Sequence, residues 1–271
     1  MNNDNNRTDR VFLILKRNGT HEVYNPNKIA NAIRKSFIST GHSIEEEELR
    51  TIVETVGSML DADESLREVE HIQDLVEQQL MKQGHYAEAK SYILFRNKRT
   101  EQRHLLNRLA ALMGGHGIDE VLKGIAKDFP EPQYSLQILA EKEGGMNKST
   151  MEGRRLSSFI TAAVELTTTD APQWEFIAAR LLDFQLVRKI RSVEQQEGIG
   201  SLYEKISMLT SQGLYGDYIL KTYTEEEIEE AASFIDNDRD KLINYSGLDL
   251  LRKRYLLHTF DHQVVETVQE M

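Results

Sequence analysis

Hydrophobic positions along this chain fall mainly at helical spacing, with two short stretches that alternate instead. Residues 11–24, VFLILKRNGTHEVY, hold two β-prone runs on either side of Asn18-Gly19. Asn-Gly favours a two-residue turn in which both central residues take positive φ, so the pattern predicts a β-hairpin with a type I′ turn. Asn25-Pro26 follows, an N-cap and a proline suited to the first helical position. Ile29, Ile33 and Phe37 then recur every four residues as the stripe of a first helix. Ser43-x-x-Glu46 reads as a capping box for a second helix, with Leu49, Ile52, Val53, Val56 and Leu60 inward. Val69, Ile72, Val76 and Leu80 mark a third, stopped by Gly84. A fourth runs from Ala87 to about Met113, with Ala89, Ile93 and Leu94 inward and Arg96, Lys98, Arg99 and Arg103 near its middle.

Further along, Gly114–Gly117 (GGHG) is a natural break. Short helices around Pro130 and Pro132 follow, then two longer ones punctuated at Thr169-Asp170-Ala171-Pro172. Residues 200–256 hold at least three more, and the YLLHTFDHQVVET stretch alternates around Phe260-Asp261 as a second hairpin. No βαβ rhythm of a parallel sheet is present. The expected fold is mainly α: a β-hairpin capping a four-helix bundle, then a helical domain ending in a short β-hairpin. Residues 1–10 are polar and read as a disordered tail. Residues 105–164 read as linker plus degenerate helices; Leu156, Ile160 and Val164 faintly echo Ile72, Val76 and Leu80, with a chance likeness of two amphipathic helix pairs as the competing reading.

Composition narrows the chemistry. The 271 residues contain no cysteine, which excludes disulfides, zinc ribbons, iron–sulfur clusters and thiol catalysis. No apolar run approaches the roughly 20 residues of a membrane span and no signal peptide is visible, so a cytoplasmic location is expected, with no membrane partner. The net charge of −11 argues against a nucleic-acid partner. The charge is uneven, however. Residues 1–40 carry seven Lys/Arg against three Asp/Glu, a local excess of +4, while the remaining 231 sum to −15. A basic patch on an acidic protein suits a local anion site.

Neither a Walker loop nor GxGxxG occurs, so a nucleotide would bind by another route. Asp236, Asp238 and Asp240 have the spacing of an EF-hand. Lys241 stands where its glycine belongs and Gly247 where its glutamate belongs, so calcium is rejected in favour of a carboxylate-rich loop at a helix start. His258 and His262 lack a third ligand and read as surface residues. Glu225–Glu230 reads as a helical first turn after Thr224. No metal site and no catalytic residue is expected. The first hairpin is richer. Lys16 and Arg17 precede its turn, Glu22 and Asn25 follow it, and Lys28 lies in the first turn of the next helix. Three cations beside a helix N-terminus suit a polyphosphate, and Glu22 and Asn25 suit a base or ribose hydroxyls. An ordinary charged hairpin packed on helices is the competing reading.

The segments VFLILKRNGTHEVYNPNKIANAI and VEHIQDLVEQQLMKQGHYAEAKSYILFRNKR resemble an ATP-cone, the allosteric nucleotide-binding module of ribonucleotide reductases and of one repressor family. The resemblance lies in the Lys16-Arg17-Asn18-Gly19 turn, Lys28-Ile29, the Ile72, Val76, Glu77 step, and Ala89, Tyr92, Ile93 and Arg96. The segments TTTDAPQWEFIAARLL and SLYEKISMLTSQGLYGDYILKTYTEEEIEEAASFIDNDRDKLINYSGLDLLRKRYLL resemble the helical N-terminal domain of the class I ribonucleoside-diphosphate reductase large (α) subunit. The two resemblances cover about residues 8–104 and 165–268. They imply an ATP-cone over residues 11–104 and the reductase helical domain over 165–271. The family continues into a barrel with catalytic cysteines. This chain ends where that barrel would begin, so it is expected to be inactive alone, although the parent would be a thiyl-radical oxidoreductase.

The resemblance implies ATP or dATP as allosteric effector, with Mg²⁺. Lys16, Arg17, Lys28 and Lys98 would meet the triphosphate, and Glu22 and Asn25 the base or ribose. Ile14, Ile29, Val69, Ile72 and Leu94 would wall the adenine, with Gln73 a polar gate. Its implied partners are the rest of the α subunit, the radical-generating small subunit, and further copies in a nucleotide-dependent self-association that regulates deoxyribonucleotide synthesis. Two alternatives stand beside this: a cone that has lost its ligand and serves as an oligomerisation scaffold, and a cone-type transcriptional regulator, disfavoured by the missing zinc ribbon.

Overall fold

The computed structural model describes residues 12–17, 19–114, 116–146 and 152–271. The expectation of a disordered tail at 1–10 falls outside them. The chain divides into two compact units, residues 1–102 and 103–271.

In the first unit, β1 (Leu13–Leu15) pairs antiparallel with β2 (His21–Val23), Ile14 standing opposite Glu22. The turn differs from the expected type I′. Lys16 N–H donates to Thr20 O at 2.8 Å, Gly19 N–H donates to Lys16 O at 2.9 Å, and Gly19 has φ 78°. The loop is therefore three residues long, with Gly19 as a left-handed bulge and not the second centre of a two-residue turn; Asn18 is outside the described residues. Helix α1 (Pro26–Ser39) begins as expected, Asn25 Oδ1 accepting from Asn27 N–H at 3.0 Å. Helix α2 (Glu46–Ala62) does not use Ser43. Its N-cap is Glu45, without a side-chain cap, and three glutamates in its first turn complement the helix dipole instead. Helix α3 (Val69–Lys82) ends at a left-handed Gly84, whose neighbour His85 donates to Leu80 O at 2.9 Å.

Helix α4 (Tyr86–Met113) closes this bundle with Ala89 and Tyr92; its residues Leu109 and Met113, past residue 102, belong to the second unit and its core. The first core gathers Phe12 and Ile14 from the hairpin side with Ile33, Phe37, Ile52, Val56, Val76 and Leu80, the stripes read from spacing. Leu94 departs from expectation: it is 59% exposed. At 100° per residue it stands about 140° round the helix from Ala89, whereas Ile93 and Arg96 stand within about 40° of it.

The second unit is all helical turns around one long central helix. It contains α5 (Ile118–Asp128), α6 (Leu136–Met146), α7 (Glu152–Glu165), α8 (Trp174–Glu197), α9 (Leu202–Ser211), α10 (Tyr218–Thr222), α11 (Glu225–Ala232) and α12 (Tyr245–Arg254). Helix α8 is buried along one face through Trp174, Ile177, Leu181, Leu182, Leu186 and Ile190. Trp174, 1% exposed, donates its indole N–H to Gln133 O at 3.0 Å. Residues 105–164 are no linker: Leu109, Met113, Ile118, Leu122, Ile125, Leu139, Leu156 and Phe159 share one core with α8. Thr224 caps α11 in a full capping box with Glu227. Asp236 caps a short 3-10 turn at Asn237–Leu242, the bland alternative to a calcium loop. The C-terminal hairpin reduces to a turn with a single antiparallel bridge, His258 to Val264, and no assigned strand.

Candidate functional site

The hairpin, the start of α1 and the start of α3 meet in one corner of the first unit. Alternation along β1 sends Ile14 inward, and Glu22, directly opposite on β2, shares that face of the hairpin and is half-buried, while Leu13, His21 and Val23 are exposed. Leu15 N–H donates to Arg67 O at 2.8 Å, and Leu15 forms a parallel bridge with Glu68. That bridge draws the segment before α3 alongside β1 and sets the first turns of α3 beside the hairpin. Arg67 stacks over the Phe12 ring at 4.8 Å, and Phe12 stacks on Tyr24 at 4.6 Å, which pins the base of the hairpin.

Two of the three expected cations converge. Lys16 reaches Glu22 at 2.8 Å, and Lys28 donates to the other oxygen of the same carboxylate. The hydrogen bonds from Lys16 and Lys28 hold the Glu22 carboxyl well below its usual range, at about 2. These groups are open to solvent, so water screens each pair and its contribution to stability is small. Arg17 goes elsewhere. Its Nε donates to Glu70 and its Nη2 to Gln73 Oε1 at 3.0 Å. Asn25 uses its side-chain oxygen on the α1 cap, and Lys28 N–H donates to Asn25 O at 3.1 Å.

The expected apolar wall separates into two layers. Ile14 and Ile29 are buried in the core, and Val69 and Ile72 are half-buried and pack against it. Leu94 lies on the outward face of α4 and joins neither layer. Lys98, four residues beyond Leu94, is exposed and makes no ion pair or hydrogen bond with the described hairpin residues.

A cation of α4 that does reach α3 is Arg96, placed by its position on the Ala89 face. Arg96 donates to Glu70 at 2.9 Å, Asp74 at 2.6 Å and Glu77 at 2.8 Å. Partial burial opposes the charge on Arg96, and the three carboxylates outweigh it and keep the guanidinium protonated. Glu70 is held at about 2, mainly by Arg17, with burial opposing and Arg96 assisting. Sequence reasoning missed Glu70 and Asp74 as site residues. Their signal was present: Glu70, Asp74 and Glu77 at i, i+4 and i+7 form one acidic face of a helix. Among the described residues no group of three or more His, Cys, Asp or Glu is gathered that could hold a metal ion. No described helix is long and apolar enough to cross a membrane.

This hairpin, with its Lys-Arg turn, and the helices that follow it lie within residues 12–101, which match the ATP cone domain family. The chain is also 40% identical over 268 residues to the ribonucleoside-diphosphate reductase subunit alpha of Treponema pallidum, covering 95% of this chain and 31% of that protein. The subunit alpha of Chlamydia trachomatis is 36% identical over 285 residues, covering 90% of this chain and 26% of its own length. Ribonucleoside-diphosphate reductase 1 subunit alpha of Escherichia coli is 34% identical over 100 residues, 37% of this chain and 13% of that one. The chain thus carries an ATP-cone and is homologous over 95% of its length to the N-terminal region of ribonucleoside-diphosphate reductase alpha subunits. It spans less than a third of the length of these relatives.

Proposed function

We infer that this chain is the allosteric, nucleotide-sensing N-terminal part of a ribonucleoside-diphosphate reductase alpha subunit. The observation that carries the reading is the meeting of Lys16 and Lys28 on one surface carboxylate, Glu22, within a domain that matches the ATP cone. A nucleoside triphosphate offers those ammonium groups several charge-assisted bonds in place of one weak carboxylate contact, so the exchange is favourable. The N-terminus of α1 adds the field of its first turn. Arg17 supplies a guanidinium at the turn, Val69 and Ile72 an apolar edge for the base, and Gln73 a polar group beside Arg17. Glu22 and Asn25, released in part from their present partners, face the base or ribose. Ile14 and Ile29 support the wall from beneath.

In this reading the effector is ATP or dATP, and Mg²⁺ arrives on the triphosphate. The two effectors regulate reduction of ribonucleotides in the complete subunit by favouring different assemblies, which requires different affinities for the two states. The rest of the alpha subunit, the radical-generating small subunit and further copies of the chain are the partners, in the cytoplasm. The catalytic thiols would have to come from outside these 271 residues, which hold no cysteine.

Calorimetric titration of the full chain with ATP and with dATP in magnesium buffer tests this. Binding of both is expected, weakened tenfold or more in Lys16→Ala and in Lys28→Ala. Unchanged affinity in both variants overturns the site. No binding by the wild-type chain favours the scaffold reading.

A further inference from the structure

Glu70 stands between two guanidinium groups. One carboxylate oxygen accepts from Arg17 of the hairpin turn, the other from Arg96 of α4 at 2.9 Å. The two arginines are not in equal surroundings. Arg96, 19% exposed, already serves Asp74 and Glu77, so three carboxylates crowd one cation. Arg17 is the second cation that brings this cluster closer to neutrality, and it is also the residue at the tip of the hairpin best placed to turn toward an arriving polyanion. Glu70, 44% exposed, sits in the first turn of α3 where solvent and ligand can reach it.

We propose that Glu70 is a built-in competitor for the anionic ligand. It holds Arg17 in the nucleotide-free protein and surrenders it to the triphosphate, so that occupancy of the hairpin is felt by α3 and α4 through the Arg96 cluster. The idea rests on the nucleotide reading above and adds how that site is regulated. The second half of the coupling follows from charge. When Arg17 leaves, Arg96 alone faces Glu70, Asp74 and Glu77, and the acidic face of α3 is drawn harder onto α4. Conversely, whatever weakens Arg96 leaves Glu70 with Arg17 as its one guanidinium and strengthens the lock. Arg96 is in this sense a positioning residue that never touches the ligand.

The signs of two substitutions separate this from a merely structural network. Glu70→Gln keeps the shape and removes the competing charge. It is expected to tighten ATP binding by about three- to tenfold in calorimetry on the full chain, the size of a lost exposed ion pair. Arg96→Gln is expected to weaken ATP binding by a similar factor, and the double variant to return toward Glu70→Gln. A network that only holds the fold would make both single variants bind more weakly and melt lower. Glu70→Ser, a shorter neutral side chain at the same exposed position, carries the test alone if Arg96→Gln fails to fold. Wild-type binding with Glu70→Gln and Glu70→Ser equal to it or weaker overturns the competitor and leaves the nucleotide reading standing. Binding by Glu70→Gln but not by wild type supports the competitor. Binding by neither overturns both readings together.

Discussion

Gly19 and His262 occupy the same place in two turns of matching hydrogen bonding. Gly19 N–H donates to Lys16 O and His262 N–H to Thr259 O, both at 2.9 Å, and Lys16 and Thr259 each donate across the turn at 2.8 Å. Both residues are left-handed, at φ 78° and 61°. Glycine takes that conformation without penalty and a side chain does not. His262→Gly is therefore expected to stabilise the second unit by about 0.5–1 kcal/mol, and Gly19→Ala to destabilise the first by about 1 kcal/mol. Urea denaturation of both variants checks the opposite signs; a loss of stability in His262→Gly contradicts the turn described.

A buried carboxyl on α8 sets a pH dependence. Burial, and secondarily the charge of Asp240, push Asp183 from 3.8 up to about 6, with Arg191 acting in the other direction. One of its oxygens is buried without a partner. A folded-state value above the unfolded one means that the proton is held more tightly in the fold. The favourable contribution is present below about pH 4 and is lost as pH rises from 4 to 6, leaving a deficit of about 2–3 kcal/mol at neutral pH. Asp183→Asn should thus be the more stable protein at pH 7.5 and equal to wild type near pH 4. Equal stability at both pH values would show that Asp183 is not desolvated.

Lys205, 5% exposed, ties α9 to α8 and to the C-terminal turn through Glu194 at 2.6 Å and Glu270 at 2.8 Å. Lys205→Met removes the one charge that compensates two largely covered carboxylates and is expected to cost about 3–5 kcal/mol. Adding Glu194→Gln and Glu270→Gln should recover most of that loss. A single variant within about 1 kcal/mol of wild type would mean that water already compensates the carboxylates.

The outward position of Leu94 and Lys98 on α4 ranks the cations of the candidate site. Lys98→Ala is expected to change ATP affinity less than threefold, against tenfold or more for Lys28→Ala. Calorimetry on the two variants side by side measures the ratio, and a larger effect at Lys98 would place α4 closer to the ligand than the present geometry does.

Much of this could be read before any coordinates. Asn25-Pro26, the four-residue stripe Ile29–Phe37, Gly84 and the helix start after Thr224 all settle local backbone from residues a turn apart, and each has its expected place. Where two local signals competed, the pattern alone misjudged. Asn18-Gly19 favours a two-residue turn, yet the pairing of Lys16 with Thr20 makes the loop one residue longer. Ser43 offers a cap, yet α2 starts at Glu46 with Glu45 as its N-cap. Residues 105–164 look weak as a domain because their apolar positions have no partner until α8 is laid against them.

Sequence by itself determined the helices, the hairpin, the absence of thiol chemistry and the set of cations and carboxylates around the turn. Spacing of three or four residues fixes which side chains share a face, and composition fixes which chemistry is possible. Only the tertiary structure decided who answers whom: Lys16 and Lys28 on Glu22, Arg17 on Glu70, and Arg96 rather than Lys98 turned to α3. Arg17 and Glu70 are 53 residues apart and Arg96 and Glu70 are 26 apart. Over such separations no local preference acts. The pairing follows from how the helices pack, and packing is set by the shared core beneath them.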